Sequence, residues 1–203
     1  MVLVKQNILF IHIPKTGGQS ITVYLLENNN QPTDNLNNSD FGLINNNNLK
    51  LKGPQHHHHM FLTEYEKMYK IKNYFIFSVV RNPFDRFVSA FYYSGFAEEY
   101  DYVDMIDIIP TLEKNKKLDL YRMFCPQYKF FEGKSKIDKI FKTENLHESF
   151  DFLNNKFQFK STKDYFINSR NKTRKPLDET TKNFIKNYYK DDFEKFGYSY
   201  ETP

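Results

Sequence analysis

Three short stretches of this chain carry side chains that could do chemistry. In the first, Pro14-Lys15-Thr16-Gly17-Gly18 follows the apolar run Ile8 to Ile13 and precedes a segment suited to a helix. Paired glycines let backbone approach a ligand closely, and the N–H groups and dipole at a helix start favour negative charge. Lys15 adds a mobile cation, and Ser20 adds a hydroxyl one turn in. The NTPase pattern G-x-x-x-x-G-K-[ST] works by the same physics but is absent, because here the lysine precedes the glycines. The bland alternative is a strand–turn–helix corner that uses glycine for tight packing. In the second stretch, Arg81 closes an apolar run and Ser89 lies eight residues on. Ligands collect at strand ends of open α/β sheets, and Arg binds phosphate as a planar fork. The competing structural role is pairing of Arg81 with Asp85, and Arg86 is expected to brace the helix. The third stretch is His56 to His59, four of the six histidines. Imidazole titrates near neutral pH and can take a proton or a metal. No Cys or acidic partner sits at ligand spacing, so no metal is expected. His12 reads as a core or sheet residue, and His147, near the start of a late helix, as surface.

The elements that must position these residues follow from periodicity and punctuation. Asn7 to Ile13 and Tyr74 to Val80 are continuous apolar runs bounded by turns and predict buried strands, with a third over Lys136 to Phe141. Helices are expected over Gln19 to Glu27, Thr63 to Tyr69, Glu144 to Asn155 and Pro176 to Tyr189. A helical stretch broken at Pro110 is expected over Tyr100 to Phe124. Asn82-Pro83 is a helix start, Asn as N-cap and Pro at the first position, with Phe84, Phe87, Val88 and Phe91 as the apolar stripe to about Tyr93. Asn28 to Gly53 is rich in Asn and reads as a long surface loop holding at most a short element. Strands alternating with helices predict an α/β fold, a mainly parallel central sheet flanked by helices, in one domain over residues 1–203.

Bulk properties narrow the function class. A chain of 203 residues suits one α/β core. Aromatic residues reach 18%, all Phe and Tyr, so a core built largely of Phe is expected. A net charge of +4 suits an anionic ligand, but acidic residues are interspersed throughout, which argues against nucleic acid. A single cysteine, Cys125, forms no internal disulfide and fits a reducing, cytoplasmic setting. The first apolar segment is too short for a signal peptide or membrane span.

Several segments, in order, resemble the sulfotransferases that use 3′-phosphoadenosine 5′-phosphosulfate (PAPS), specifically the carbohydrate sulfotransferase family 2 group. They are FIHIPKTGGQSI, HMFLTEYEKMYKIKNYFIF, FSVVRNPFDRFVSAFY, CPQYKFF, IFKTENLHESF and NYYKDDFEKFGY, which cover nearly the whole chain apart from the Asn-rich loop. The resemblance implies a sulfotransferase fold with a P-loop-like nucleotide site. It assigns Lys15, Thr16, Gly17, Gly18, Gln19 and Ser20 to the 5′-phosphosulfate, and Arg81 and Ser89 to the 3′-phosphate. Gln19 departs from the usual Thr or Ser of the family. The implied reaction moves a sulfuryl group to a hydroxyl, with a carbohydrate as the expected acceptor and no metal. It needs a general base, which the resemblance places at His59, with His57 next because some members carry a His-x-His pair. Lys15 is the implied bridge between the transferring sulfuryl and the leaving phosphate. Read from its own residues, the basic, turn-rich loop at 168–176 either closes over nucleotide or acceptor or is a solvated basic loop. The chain begins at the catalytic domain, unlike anchored animal members, so a bacterial or viral enzyme is expected. A nucleotide-dependent kinase, or an inactive binder of nucleotide or sulfated glycan, are the competing readings.

Overall fold

The computed structural model describes residues 2–3, 6–28, 43–44, 59–114, 118–160 and 174–202. The chain is α/β, and it divides into two compact units, Met1–Val80 with Phe130–Ser169 and Arg81–Lys129 with Arg170–Pro203.

The first unit holds the sheet. Its strands are β1 (Val2–Leu3), β2 (Ile8–Ile11), β3 (Leu43–Ile44), β4 (Phe75–Val80) and β5 (Lys139–Lys142), in the order β3-β1-β2-β4-β5. β2, β4 and β5 run parallel, whereas β1 meets β2 antiparallel. Every residue of β2 is buried, as are the last five of β4, which is why both read as unbroken apolar runs. Ser78 is the polar exception, and its hydroxyl donates to the Ile11 carbonyl at 2.6 Å. Helices α1 (Gly18–Glu27) and α6 (Leu146–Phe157) cover one face, where Ile21, Tyr24, Leu25, Leu146 and Leu153 pack against Ile8, Phe10, Phe77, Val79 and Phe141. Phe10 and Phe77 stack with centroids 5.0 Å apart, and Phe77 meets Phe141 edge-on at 6.1 Å, so this core is Phe-built. Helix α2 (Leu62–Met68) begins where Glu64 reaches back to accept the Phe61 N–H at 2.7 Å. Glu66 then ties it to the backbone N–H groups of Lys134 and Ser135.

The second unit is helical: α3 (Pro83–Tyr93), α4 (Met105–Lys114), α5 (Leu118–Phe124), α7 (Glu179–Tyr188) and α8 (Lys190–Phe196). Asn82 caps α3 by accepting the Phe84 N–H at 2.9 Å, with Pro83 at the first position, as the sequence predicts. Phe84 and Phe87 are buried, meeting Phe193 and Phe124 respectively. Two elements differ from expectation. Pro110 lies inside α4 and does not break it, because its exposed ring sits on the solvent side, where a missing N–H leaves no buried acceptor stranded. The helix expected over Pro176 to Tyr189 starts later, at Glu179 behind an Asp178 cap, and ends at Tyr188. It is followed by the unexpected α8, which stops at Gly197 in the left-handed conformation, φ 62°.

Candidate active site

The glycine loop grows out of β2. After Ile11 the chain passes His12, Ile13 and Pro14 and turns through Lys15, φ 68°, and Gly17, φ 78°, before α1 begins at Gly18. A left-handed Lys is uncommon, and such backbone clusters at ligand clamps. Left-handed Gly17 followed by helical Gly18 is the kind of backbone alternation from which anion-binding concavities are built. Gly17 is the N-cap of α1 and brings no side chain to cap it, and the first turn of α1 carries no acidic residue. The Ser20 N–H donates to the Gly17 carbonyl at 3.1 Å, and the dipole of α1 places its positive end at this turn.

Each loop side chain has a definite place. Lys15 is half-buried, Gln19 is exposed and Ser20 is buried. Thr16 is fully buried, and its hydroxyl donates to the Ile13 carbonyl at 2.9 Å, so its N–H is what it can offer an anion. The loop is braced from β5. The Thr143 hydroxyl, just past β5, donates to the Thr16 carbonyl at 2.7 Å, with the Val80 carbonyl at 3.0 Å. The Thr143 hydroxyl thus lies between the loop and the end of β4, its one hydrogen shared by the two carbonyls. Thr143 lies inside a family-like segment but was not singled out from sequence. Its signal was a hydroxyl at the same sheet end as the loop.

His59 joins this loop through His12. Its Nδ1 lies 3.0 Å from the His12 carbonyl oxygen. A carbonyl only accepts, so Nδ1 donates the hydrogen of this bond. The two imidazoles meet edge-on with centroids 4.6 Å apart, and His12 stacks on Phe10 at 5.4 Å. On its other side the His12 ring lies against Gly18, where a Cβ would overlap it. His12, read from sequence only as a core or sheet residue, is buried as expected and is also the bridge between His59 and the first residue of α1. His147 is exposed on α6, as expected. His56, His57 and His58 lie outside the described residues, as do the Asn-rich stretch apart from residues 28 and 43–44, and residues 168–173 of the basic loop.

This contact makes Gly18 a sensitive position. Gly18→Ala is expected to destabilise the fold by about 1–3 kcal/mol, the usual penalty for overpacking a filled interior. The His12 ring cannot readily swing away, because it is 6% exposed and held between Phe10 and His59. Urea denaturation of the variant checks this, and an unchanged midpoint would mean the ring yields.

In the second unit, Arg81 follows the last residue of β4 and precedes the Asn82 cap, while Ser89 is buried on α3. Arg86 braces, as expected. It is 2% exposed, and its guanidinium donates to the carbonyls of Cys125, Arg122 and Met123 at the end of α5. A buried charge survives there because it is fully occupied by hydrogen bonds. Beside it, burial pushes the Asp192 carboxyl up, while N–H groups of Gln127 and Tyr128 and the Arg86 charge pull it back. Burial pushes the Cys125 thiol up to about 12, so it remains an inert core group.

Three parallel strands flanked by helices, with a glycine turn after β2, make the chain an α/β protein. The family model described as "Sulfotransferase family" matches residues 1–199, and the chain belongs to that family, whose members move sulfuryl groups. No curated protein and no solved structure matches it. Among the described residues, no helix is long and apolar enough to cross a membrane, and no group of three His, Cys, Asp or Glu could hold a metal ion.

Proposed function

We propose that the protein transfers the sulfuryl group of PAPS to a hydroxyl, with a carbohydrate as acceptor. In this reading residues 15–20 hold the 5′-phosphosulfate, and Arg81 with Ser89 holds the 3′-phosphate. The acceptor oxygen attacks sulfur as the bond to the bridging phosphate oxygen breaks. His59 Nε2 takes the acceptor proton, and Lys15 offsets the charge growing on the leaving phosphate. The transition state of such a transfer is loose and charge-spread, by analogy with phosphoryl transfer, so positioning and electrostatics dominate. No metal is needed for this division of labour. A buried single cysteine supports a reducing, cytoplasmic setting.

The observation that carries this reading is the His59–His12 contact. It supports a base whose protonatable nitrogen is fixed by the same residue that packs against the start of α1.

The test begins with the nucleotide. Adenosine 3′,5′-bisphosphate, the product, is expected to raise the melting temperature, since a ligand at 100 times its Kd adds about 2.7 kcal/mol of apparent stability. Arg81→Ala is expected to weaken its binding by roughly 2–4 kcal/mol, as for removal of a hydrogen-bonded charge. Calorimetry and thermal melts measure both. Stabilisation by ATP but not by the bisphosphate would overturn the reading in favour of a kinase. A panel of labelled-PAPS assays across sugar, phenol and peptide hydroxyls then decides the acceptor.

A further inference from the structure

The Arg81 peptide is held from both sides by one side chain. Its N–H donates to Gln127 Oε1 at 2.9 Å, and Gln127 Nε2 donates back to its carbonyl at 2.9 Å. This is how a neighbouring strand would pair the residue, supplied by a side chain just where β4 has ended. A carboxamide carries a donor and an acceptor side by side, which an ionised Glu of the same length does not, so Gln suits the position.

Gln127 is itself locked. It is fully buried, and its own N–H donates to Asp192 Oδ2 at 2.8 Å. The next N–H, of Tyr128, donates to Asp192 Oδ1 at 2.9 Å, and the second Nε2 hydrogen of Gln127 faces Asp192 Oδ2 at 3.4 Å. Asp192 sits fully buried on α8. A buried carboxylate is expensive unless its oxygens are satisfied, and here both are. A core needs no such arrangement for packing alone, since apolar side chains of similar volume would fill the space without the desolvation penalty. What the relay does fix is the φ and ψ of the one residue whose fork is to meet a phosphate. Ligand-binding groups must be held within roughly 0.5 Å and 10–20° to be effective.

We infer that Gln127, anchored by Asp192, is a positioning residue that aims the Arg81 guanidinium at the 3′-phosphate of the nucleotide and so sets selectivity for 3′-phosphorylated donors. This rests on the proposed role of Arg81. Gln127 belongs to a family-like segment, CPQYKFF, but no residue in that segment was given a task from sequence.

The experiment compares two nucleotides, adenosine 3′,5′-bisphosphate and 5′-AMP, which differ by the 3′-phosphate. Gln127→Met keeps length and apolar volume while removing both bonds to residue 81. It is expected to weaken the bisphosphate about 10-fold, the lower end for loss of a partner that supports a ligating group, and to leave 5′-AMP unchanged. The same substitution made in an Arg81→Ala background is expected to have no further effect on the ratio of the two affinities, because the interaction it supports is already gone. Equal weakening of both nucleotides, persistence of the effect without Arg81, or no weakening at all would overturn the inference and leave Gln127 a purely structural residue. Arg81→Ala alone separates the two levels of the claim. If it does not change the affinity ratio, Arg81 does not read the 3′-phosphate, and its positioning by Gln127 falls with it. Thermal melting reports whether Gln127→Met folds. Should it not, Asp192→Asn carries the same comparison with the same outcomes.

Discussion

His59→Ala is expected to lower sulfuryl transfer by about 10²–10⁴-fold, the range for loss of a positioned acid–base group, with no change in affinity for adenosine 3′,5′-bisphosphate. The split follows from the geometry. His59 meets the His12 carbonyl and ring. Its removal deletes a proton acceptor without deleting an anion contact. His59→Gln is a sharper control, because a carboxamide can keep a bond to the His12 carbonyl while offering no comparable base. It should be as inactive as the alanine variant but closer to wild type in stability. Exogenous imidazole should restore part of the rate to His59→Ala only. The same measurement on His57→Ala tests the register of the run. An active His59→Ala beside an inactive His57→Ala moves the base by two positions. Should all four single alanine variants at positions 56–59 remain active, no histidine of the run is essential. Glu64 would be a poor substitute in that case, because its carboxylate already accepts the Phe61 N–H at 2.7 Å as part of the α2 start.

How far the sequence carried depended on whether a feature was local. The parallel strands β2 and β4 were legible because burial on both faces leaves unbroken apolar runs. The start of α3 was legible because Asn-Pro is a cap with its own chemistry. Helix α8 was not, because its short stretch KDDFEKF is mostly charged and offers too few apolar residues to show a helical period. Pro110 misled for the opposite reason, since punctuation inside an exposed helix face is tolerated. The loop itself was readable from paired glycines beside a lysine. Its braces were not. Thr143 meets Thr16 across 127 positions and His59 meets His12 across 47, and no periodicity encodes such an approach. The role of Arg86 as a brace was legible because a helix residue beside a phenylalanine stripe is turned inward, where its charge must find carbonyls.

Lys15→Ala is expected to cut the turnover of the enzyme by on the order of 10²–10³-fold, as for removal of one preorganised charge stabiliser, while the KM for PAPS changes little. The reason lies in when its contact matures. A cation at the bridging oxygen gains most as the bond breaks and charge collects there, so its energy is expressed in the transition state. A large rise in KM at constant kcat would instead make Lys15 an ordinary ground-state ligand. The backbone supplies an independent check. Lys15 sits at φ 68°, a conformation that costs an L-residue about 1–2 kcal/mol. Lys15→Ala keeps that strain, whereas Lys15→Gly relieves it and gives back only part of the gain, roughly 0.5–1 kcal/mol, through the greater freedom of the unfolded chain. Lys15→Gly should therefore be as slow as Lys15→Ala yet melt at a higher temperature. Strain kept at a position where glycine would relieve it is what selection for the ammonium, rather than for the turn, leaves behind. A glycine variant that melts lower than the alanine variant would mean the left-handed turn is held by contacts of the lysine stem, and the ammonium would lose this support for a role in catalysis.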